Sequence, residues 1–145
     1  MKNLLILIVA AVSFASCQSS DSKSKLTDEQ KKNALKDSSN YTTIQWLDST
    51  YKDLGKIKEG PDVPISFRFK NTGTHTLIIS DVTASCGCTI PEKPEKPIAP
   101  GEEDVIKAVF KSKGHPGPNR KDVHVLANSL PESSSTLTFS IEVTN

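Results

Sequence analysis

The chain has 145 residues, with 18 Lys and Arg against 17 Asp and Glu. A near-neutral chain lacks the basic surplus of a nucleic-acid-binding domain, so we predict no nucleic-acid partner. Its length suits one compact domain of about 100 residues behind a leader segment, which is enough to bury a hydrophobic core.

The first 16 residues have the features of a signal peptide. Lys2 supplies a positive charge, and residues 4–14 form an apolar run of 11 residues. Such a run is too short to cross a bilayer of about 30 Å as a helix, but it suits the hydrophobic segment of an export signal. We therefore predict that residues 1–16 direct export.

The end of this leader, Phe14-Ala15-Ser16-Cys17, resembles the bacterial lipobox, in which small residues precede a cysteine that is lipidated and becomes the mature N-terminus. Phe14 departs from the leucine that is usual at the first position. The alternative is ordinary cleavage after Ala15, which would leave Cys17 as a free thiol. Because Cys17 follows the apolar run and precedes a polar segment, we predict that its lipid anchors the protein in the cell envelope. We expect the outer membrane, on its periplasmic or surface face.

The segment 17–40 is predicted to be the lipid anchor followed by a flexible tether. It is rich in Ser, Lys and Asp, so it cannot bury enough apolar surface to offset the entropy of ordering. Thr27 and Gln30 have the spacing of a capping box, which predicts a helix start. Because only Ala34 and Leu35 offer apolar surface, we expect this helix to be short and marginal.

Residues 41–145 have the pattern of an all-β domain. Apolar residues alternate with polar ones from Val63 to Phe69 and again from Leu137 to Val143, which is the period of a strand with one buried face. Turn residues separate such runs at 71–74, 114–119 and 128–131. We predict an antiparallel two-sheet sandwich of about seven strands.

One strand of this domain changes phase. Ile79 belongs to the odd phase, whereas Val82, Cys86, Cys88 and Ile90 share the even one. A bulge near residues 80–81 would reconcile the two. We therefore expect the last four side chains to lie on one face.

Cys86-Gly87-Cys88 is the candidate reactive motif. Residues two apart in a strand are about 6.6 Å apart, so a disulfide would require Gly87 to fold the chain into a tight turn. We favour two packed thiols, the usual state of free cysteines. A soft-metal clip for Cu(I) or Zn(II), completed by one histidine, is also open. The candidate histidines are His75, His115 and His124.

Prolines recur every third residue from Pro91 to Pro100, the period of a polyproline II helix. Such a segment could be a ligand for a partner's groove. We favour the other interpretation, a stiff crossover that caps the edge of the sandwich.

The set of motifs at residues 67–73 (FRFKNTG), 85–89 (SCGCT) and 97–102 (PIAPGE), followed by Asn128, resembles a known family. It is similar to the bacterial envelope domains called domain of unknown function 1573, which are abundant in Bacteroidetes lipoproteins and related in fold to ASH/MSP/hydin modules. The resemblance covers roughly residues 46–143. It implies an immunoglobulin-like sandwich and an envelope location, and it implies no catalytic residues.

We therefore predict a lipid-anchored immunoglobulin-like module that binds or braces an envelope protein or glycan. We predict no enzymatic activity, no cofactor and no resident metal. The alternative is a thiol-redox or copper-handling domain that uses Cys86 and Cys88.

Overall fold

The computed structural model describes residues 25–145. The predicted signal peptide, the lipidation site Cys17 and the first part of the tether lie outside the described residues. Within 25–145, no helix has the length and apolar character needed to cross a membrane. The described elements are α1 (Asp28–Ala34), a 3-10 helix (Ser38–Asn40), β1 (Thr42–Trp46), β2 (Tyr51–Lys58), β3 (Asp62–Asn71), β4 (Ile79–Ala84), β5 (Thr89–Glu92), β6 (Glu103–Lys111), β7 (Gly117–Ala127), β8 (Ser129–Leu130) and β9 (Ser134–Thr144).

The strands form two sheets, with the orders β5-β6-β3-β1-β8 and β2-β9-β7-β4. This confirms the predicted all-β, immunoglobulin-like sandwich. Two details differ from the prediction. Residues 25–145 form nine strands and not about seven, and two of the strand pairs, β1 with β8 and β2 with β9, are parallel. The parallel pairs arise because β1 and β2 belong to different sheets. Each lies beside a strand from the C-terminal part of the chain, β8 or β9, that runs in the same direction.

Asp48 holds the point where the chain crosses from β1 in one sheet to β2 in the other. Its carboxylate accepts hydrogen bonds from the Arg68 guanidinium at 2.8 and 3.0 Å, from the Arg68 backbone N–H at 3.1 Å and from Lys52 Nζ at 3.1 Å. The Arg68 guanidinium and backbone N–H, with Lys52, hold the pKa of Asp48 well below its usual range. The crossing is therefore tied to both β3 and β2.

The core lies between the sheets and follows the predicted alternation. Phe67 and Phe69 of β3 are buried, as are Phe110 of β6 and Phe139 of β9. The rings of Phe110 and Phe139 meet edge to face with centroids 5.8 Å apart, so this aromatic contact joins the two sheets. The strand phase expected for 63–69 and 137–143 is thereby confirmed.

The predicted bulge in β4 is also present. The pairing of β4 with β7 shifts register between Ile79 and Asp81, and both Ile79 and Val82 are buried as a result. The expected common face does not extend to Ile90, whose side chain is 50% exposed. That part of the prediction was wrong because β4 ends at Ala84 and the chain turns before β5 begins.

Helix α1 begins at the predicted capping box. Thr27 Oγ1 accepts from the Gln30 backbone N–H at 3.3 Å, and Gln30 Oε1 accepts from the Thr27 N–H at 2.9 Å. The helix lies against β4, and Lys25, just before it, pairs with Glu95 at 2.7 Å. The sequence did not indicate these contacts, because the Lys25–Glu95 pair and the hydrogen bond from Asn128 Nδ2 to the Asn40 carbonyl join residues far apart in the chain.

Candidate functional site

The Cys86–Cys88 turn lies where the chain crosses from β4 to β5, and therefore from one sheet to the other. The two cysteines form a disulfide, and their Cα atoms are 5.3 Å apart. This spacing is shorter than the roughly 6.6 Å of an extended strand because the chain turns here, with the Thr89 N–H donating to the Cys86 carbonyl at 3.3 Å. The prediction of two packed free thiols was therefore wrong.

Gly87 does not have the role that the sequence suggested. Its φ lies outside the left-handed range, and a Cβ atom added to it would meet nothing within 4 Å. Closing the ring therefore does not require glycine at this position. The turn forms instead because its two flanks are held to neighbouring strands.

Thr89 gives the disulfide a polar neighbour. Its side chain is only 3% exposed, and its Oγ1 lies 3.6 Å from Cys86 Sγ and 4.0 Å from Cys88 Sγ. A disulfide sulfur carries no hydrogen, so the hydroxyl is the donor in these weak contacts. A buried hydroxyl thus lies within reach of both sulfurs.

The disulfide closes a very small loop and so contributes little to stability. In the chain-entropy model, a three-residue loop gives about 1.6 kcal/mol at 25 °C, compared with about 3 kcal/mol for a 15-residue loop. The sandwich already has a core of buried residues from both sheets. The bond is therefore poorly suited to be the main staple of the fold.

The structure brings no histidine to the two sulfurs. Among residues 25–145, no group of three or more His, Cys, Asp or Glu side chains is placed to hold a metal ion. Each histidine makes a local contact instead. Nδ1 of His75 lies 3.3 Å from Thr74 Oγ1, Nδ1 of His115 lies 3.1 Å from the Lys113 carbonyl, and Nδ1 of His124 lies 3.2 Å from Thr136 Oγ1.

The second candidate site is a polar groove of about 790 Å³ between the α1 segment and the β3–β4 connection. Its walls come from four separate parts of the chain, which is why the sequence alone did not indicate it. Eight of its eleven lining residues carry an amide, hydroxyl, carboxylate or imidazole group. The lining residues are Gln30, Asn33, Ala34, Asp37, Asn40, Thr74, His75, Thr76, Ile78, Pro100 and Asn128.

Asn128 joins the walls of this groove. Its Nδ2 donates to the carbonyls of Asn40 at 2.8 Å and Thr76 at 3.0 Å, and its Oδ1 accepts from the Ile78 N–H at 2.7 Å. The side chain is 1% exposed, so these bonds satisfy a buried amide. Asn128, singled out by the family resemblance, therefore serves as a structural clamp.

Asn71 has a similar role beside it. Its Oδ1 accepts from Thr42 Oγ1 at 2.9 Å, and its Nδ2 donates to the carbonyls of His75 at 2.8 Å and Ile98 at 3.0 Å. The FRFKNTG and PIAPGE motifs thus meet through a buried amide. These motif residues support the groove and are not aimed at a ligand.

The proline-rich segment 91–100 is tied to the sandwich at both ends. Pro91 is part of the edge strand β5, and Ile98 is buried and exchanges two 2.9 Å backbone hydrogen bonds with Leu77. Between them, Lys93 Nζ donates to the Ser80 carbonyl at 3.2 Å. These attachments agree with the favoured interpretation of a crossover, and not with a segment that is free to bind a partner.

Comparison with known proteins gives a family and a fold. The family model described as "Protein of unknown function (DUF1573)" matches residues 44–143. Among curated proteins, none matches the sequence at a significant level.

Three solved structures show the fold. A protein of unknown function from Porphyromonas gingivalis W83 is 15% identical with a TM-score of 0.62, and the match covers 73% of this chain and 49% of that one, so this chain spans about half its length. The ASH/PapD-like domain 7 of human CEP192 is 9% identical with a TM-score of 0.59, covering 73% and 88%. The secreted serine protease VesC from Vibrio cholerae is 9% identical with a TM-score of 0.53, covering 70% and 23%. At these identities the likeness concerns the fold alone.

Proposed function

Since this chain belongs to the DUF1573 family of proteins of unknown function, we propose that it is a lipid-anchored immunoglobulin-like module that binds an envelope protein or glycan and catalyses no reaction. The lipid on Cys17 anchors the protein, and the membrane that holds this lipid is the outer membrane. The sandwich presents the binding surface at the end of the domain that carries α1.

The polar groove is the observation that carries this proposal. Asn33, Thr74 and His75 are exposed along it, and the clamps at Asn71 and Asn128 hold its walls. Concave sites with convergent polar groups fix the orientation of a ligand through hydrogen bonds. A lining of amides, hydroxyls and an imidazole suits a polar partner, such as a sugar chain or a polar protein segment.

Fractionation tests the anchor. The Cys17→Ala variant should move from the membrane fraction to the soluble envelope fraction, because it lacks the sulfur to which the lipid would be attached. Circular dichroism should show the same β-sheet signal in both proteins, since Cys17 precedes the sandwich. Sedimentation of Cys17→Ala with membranes would contradict the anchor.

Matched histidine variants test the groove. The protein is incubated with purified peptidoglycan in one arm and with detergent-solubilised outer-membrane proteins in the other. Asn33→Ala combined with His75→Ala should weaken retention in the arm that holds the true partner. His124→Ala changes another exposed histidine, on the outer face of β7, and should bind like the wild type. Equal retention of both variants in both arms would contradict a groove-mediated function.

A further inference from the structure

The Cys86–Cys88 disulfide lies apart from the groove, and its surroundings suit a reaction in which the groove takes no part. We propose that it is a reversible dithiol–disulfide exchange site, in which a partner's thiolate attacks Cys86 and the Thr89 hydroxyl stabilises the thiolate that is released. The class of co-reactant is a protein dithiol. This inference is independent of ligand binding in the groove, which lies at the β3–β4 end of the domain.

The two sulfurs differ in their accessibility. Cys88 is 8% exposed and belongs to the core, whereas Cys86 is half-buried at its edge. Gly87 between them is exposed, and no atom of any residue other than Cys86 and Cys88 lies within 4 Å of the place where its side chain would stand. An incoming thiolate therefore has open access beside Cys86, and Cys88 is the protected leaving group.

The backbone on both sides of the bond is held without help from the sulfurs. The Ser85 N–H donates to the Asp122 carbonyl at 2.9 Å, and the Asp122 N–H donates to Ser85 Oγ at 3.1 Å. On the other side, the Lys111 N–H donates to the Cys88 carbonyl at 2.8 Å. After reduction these bonds keep the two thiols near each other, so the ring can close again at a high effective concentration.

Thr89 is the positioning residue. Its buried hydroxyl lies within 4.0 Å of both sulfurs, and a hydroxyl hydrogen rotates toward the stronger acceptor. A thiolate accepts a much stronger hydrogen bond than a disulfide sulfur does, because it carries a negative charge. The same hydroxyl can thus serve whichever cysteine is released.

The exchange balances as two steps. The partner's first thiolate attacks Cys86 Sγ, which forms a mixed disulfide and breaks the Cys86–Cys88 bond with release of the Cys88 thiolate. The partner's second thiolate then attacks the partner's first sulfur, which is bonded to Cys86 Sγ in the mixed disulfide, and releases the Cys86 thiolate. Two electrons have passed to the cysteine pair, both thiolates can take up protons, and the partner has become a disulfide. The reverse sequence reoxidises the site.

Titration with dithiothreitol tests reversibility on the folded full chain. Mixtures of reduced and oxidised dithiothreitol are equilibrated with the protein, free thiols are alkylated, and peptide mapping determines Cys86 and Cys88 separately from Cys17. We expect full and reversible conversion of the pair with an unchanged circular dichroism spectrum. Resistance to reduction until urea unfolds the protein, or loss of the β-sheet signal on reduction, would make the bond a structural one and overturn the proposal.

Variants that keep one cysteine of the pair, made in the Cys17→Ala background so that no other thiol reacts, test the order of attack. In Cys88→Ser the remaining Cys86 thiol should react with the aromatic disulfide 5,5′-dithiobis(2-nitrobenzoate) at least about tenfold faster than Cys88 does in Cys86→Ser, because Cys88 is buried. Equal rates, or a faster Cys88, would refute the assignment of Cys86 as the attacked sulfur.

Variants of Thr89 separate positioning from packing. Thr89→Val keeps the shape of the side chain but removes the hydrogen-bond donor. It should therefore slow reduction by dithiothreitol severalfold while leaving the melting temperature of the oxidised protein nearly unchanged. Thr89→Ser restores a hydroxyl and should recover the rate, and Thr83→Val, which makes the same change on the exposed face of β4, is the control and should leave the rate unchanged. Equal rates for Thr89→Val and Thr89→Ser would show that the hydroxyl has no part in the exchange.

Discussion

The backbone N–H of Gly101 donates a hydrogen bond to the carbonyl oxygen of Asn71 at 2.7 Å. The Asn71 N–H donates in return to the carbonyl of Glu102 at 3.0 Å. Gly101 has a φ of 81°, which glycine adopts without steric cost, so the turn can bring its N–H to this position. Two motifs that are far apart in the sequence thus form one joint at the end of the sandwich that supports the groove.

Asn71→Asp should destabilise this joint by about 2–4 kcal/mol at neutral pH. The change keeps the shape but replaces the Nδ2 donor with a carboxylate oxygen that faces the carbonyls of His75 and Ile98. Urea unfolding measures the loss. Asn33→Asp, on the exposed side of α1, is the control and should change stability by less than about 0.5 kcal/mol. Equal effects of the two changes would mean that the buried amide bonds are not formed.

Gly73→Ala should also be destabilising, by about 1–3 kcal/mol. The added Cβ would clash with Thr42 Oγ1 and lie 2.5 Å from the backbone nitrogen of Thr43, which cannot move without disturbing β1. Gly87→Ala is the matched control, because its added Cβ meets nothing within 4 Å. Thermal unfolding should therefore separate the two variants clearly, and similar melting temperatures would argue against the close approach at Gly73.

Phe69→Ala should cost about 3–5 kcal/mol of unfolding free energy. Its side chain is 0% exposed and meets the Trp46 ring edge to face at 5.6 Å, so truncation leaves a cavity. Ser66→Ala, on the exposed face of the same strand, should have an effect below about 0.5 kcal/mol. A cost under about 1 kcal/mol for Phe69→Ala would indicate an inverted strand phase.

Asp48→Asn should lower the unfolding free energy at neutral pH and make that free energy depend less on pH in the acid range. The folded-state pKa of Asp48 lies below its unfolded value of about 3.9, so its contribution is present above that pH and is lost as the pH falls toward the folded-state pKa. The stability difference between wild type and Asp48→Asn should therefore shrink between about pH 4 and pH 2. A difference that stays constant over this interval, measured by urea unfolding, would show that the Arg68 pairing does not stabilise the charged form.

Several features followed from the sequence because they depend on near neighbours in the chain. The alternation that buries Phe67 and Phe69, the capping box of Thr27 and Gln30, and the register shift after Ile79 are all confirmed. A strand's period and a cap's hydrogen bonds involve residues only a few positions apart. For this reason the sandwich and most of its core were predictable without coordinates.

Tertiary structure alone decided which distant residues meet. Strand β2, which alternates weakly because it lies at a sheet edge, is defined by its parallel pairing with β9. Cys86 and Cys88 come within bonding distance because Asp122 and Lys111, on other strands, hold the flanks of their turn. The groove likewise needs Asn128 to join segments from three parts of the chain. Such contacts depend on the packing of the whole sandwich, and the order of residues along the chain does not encode them locally.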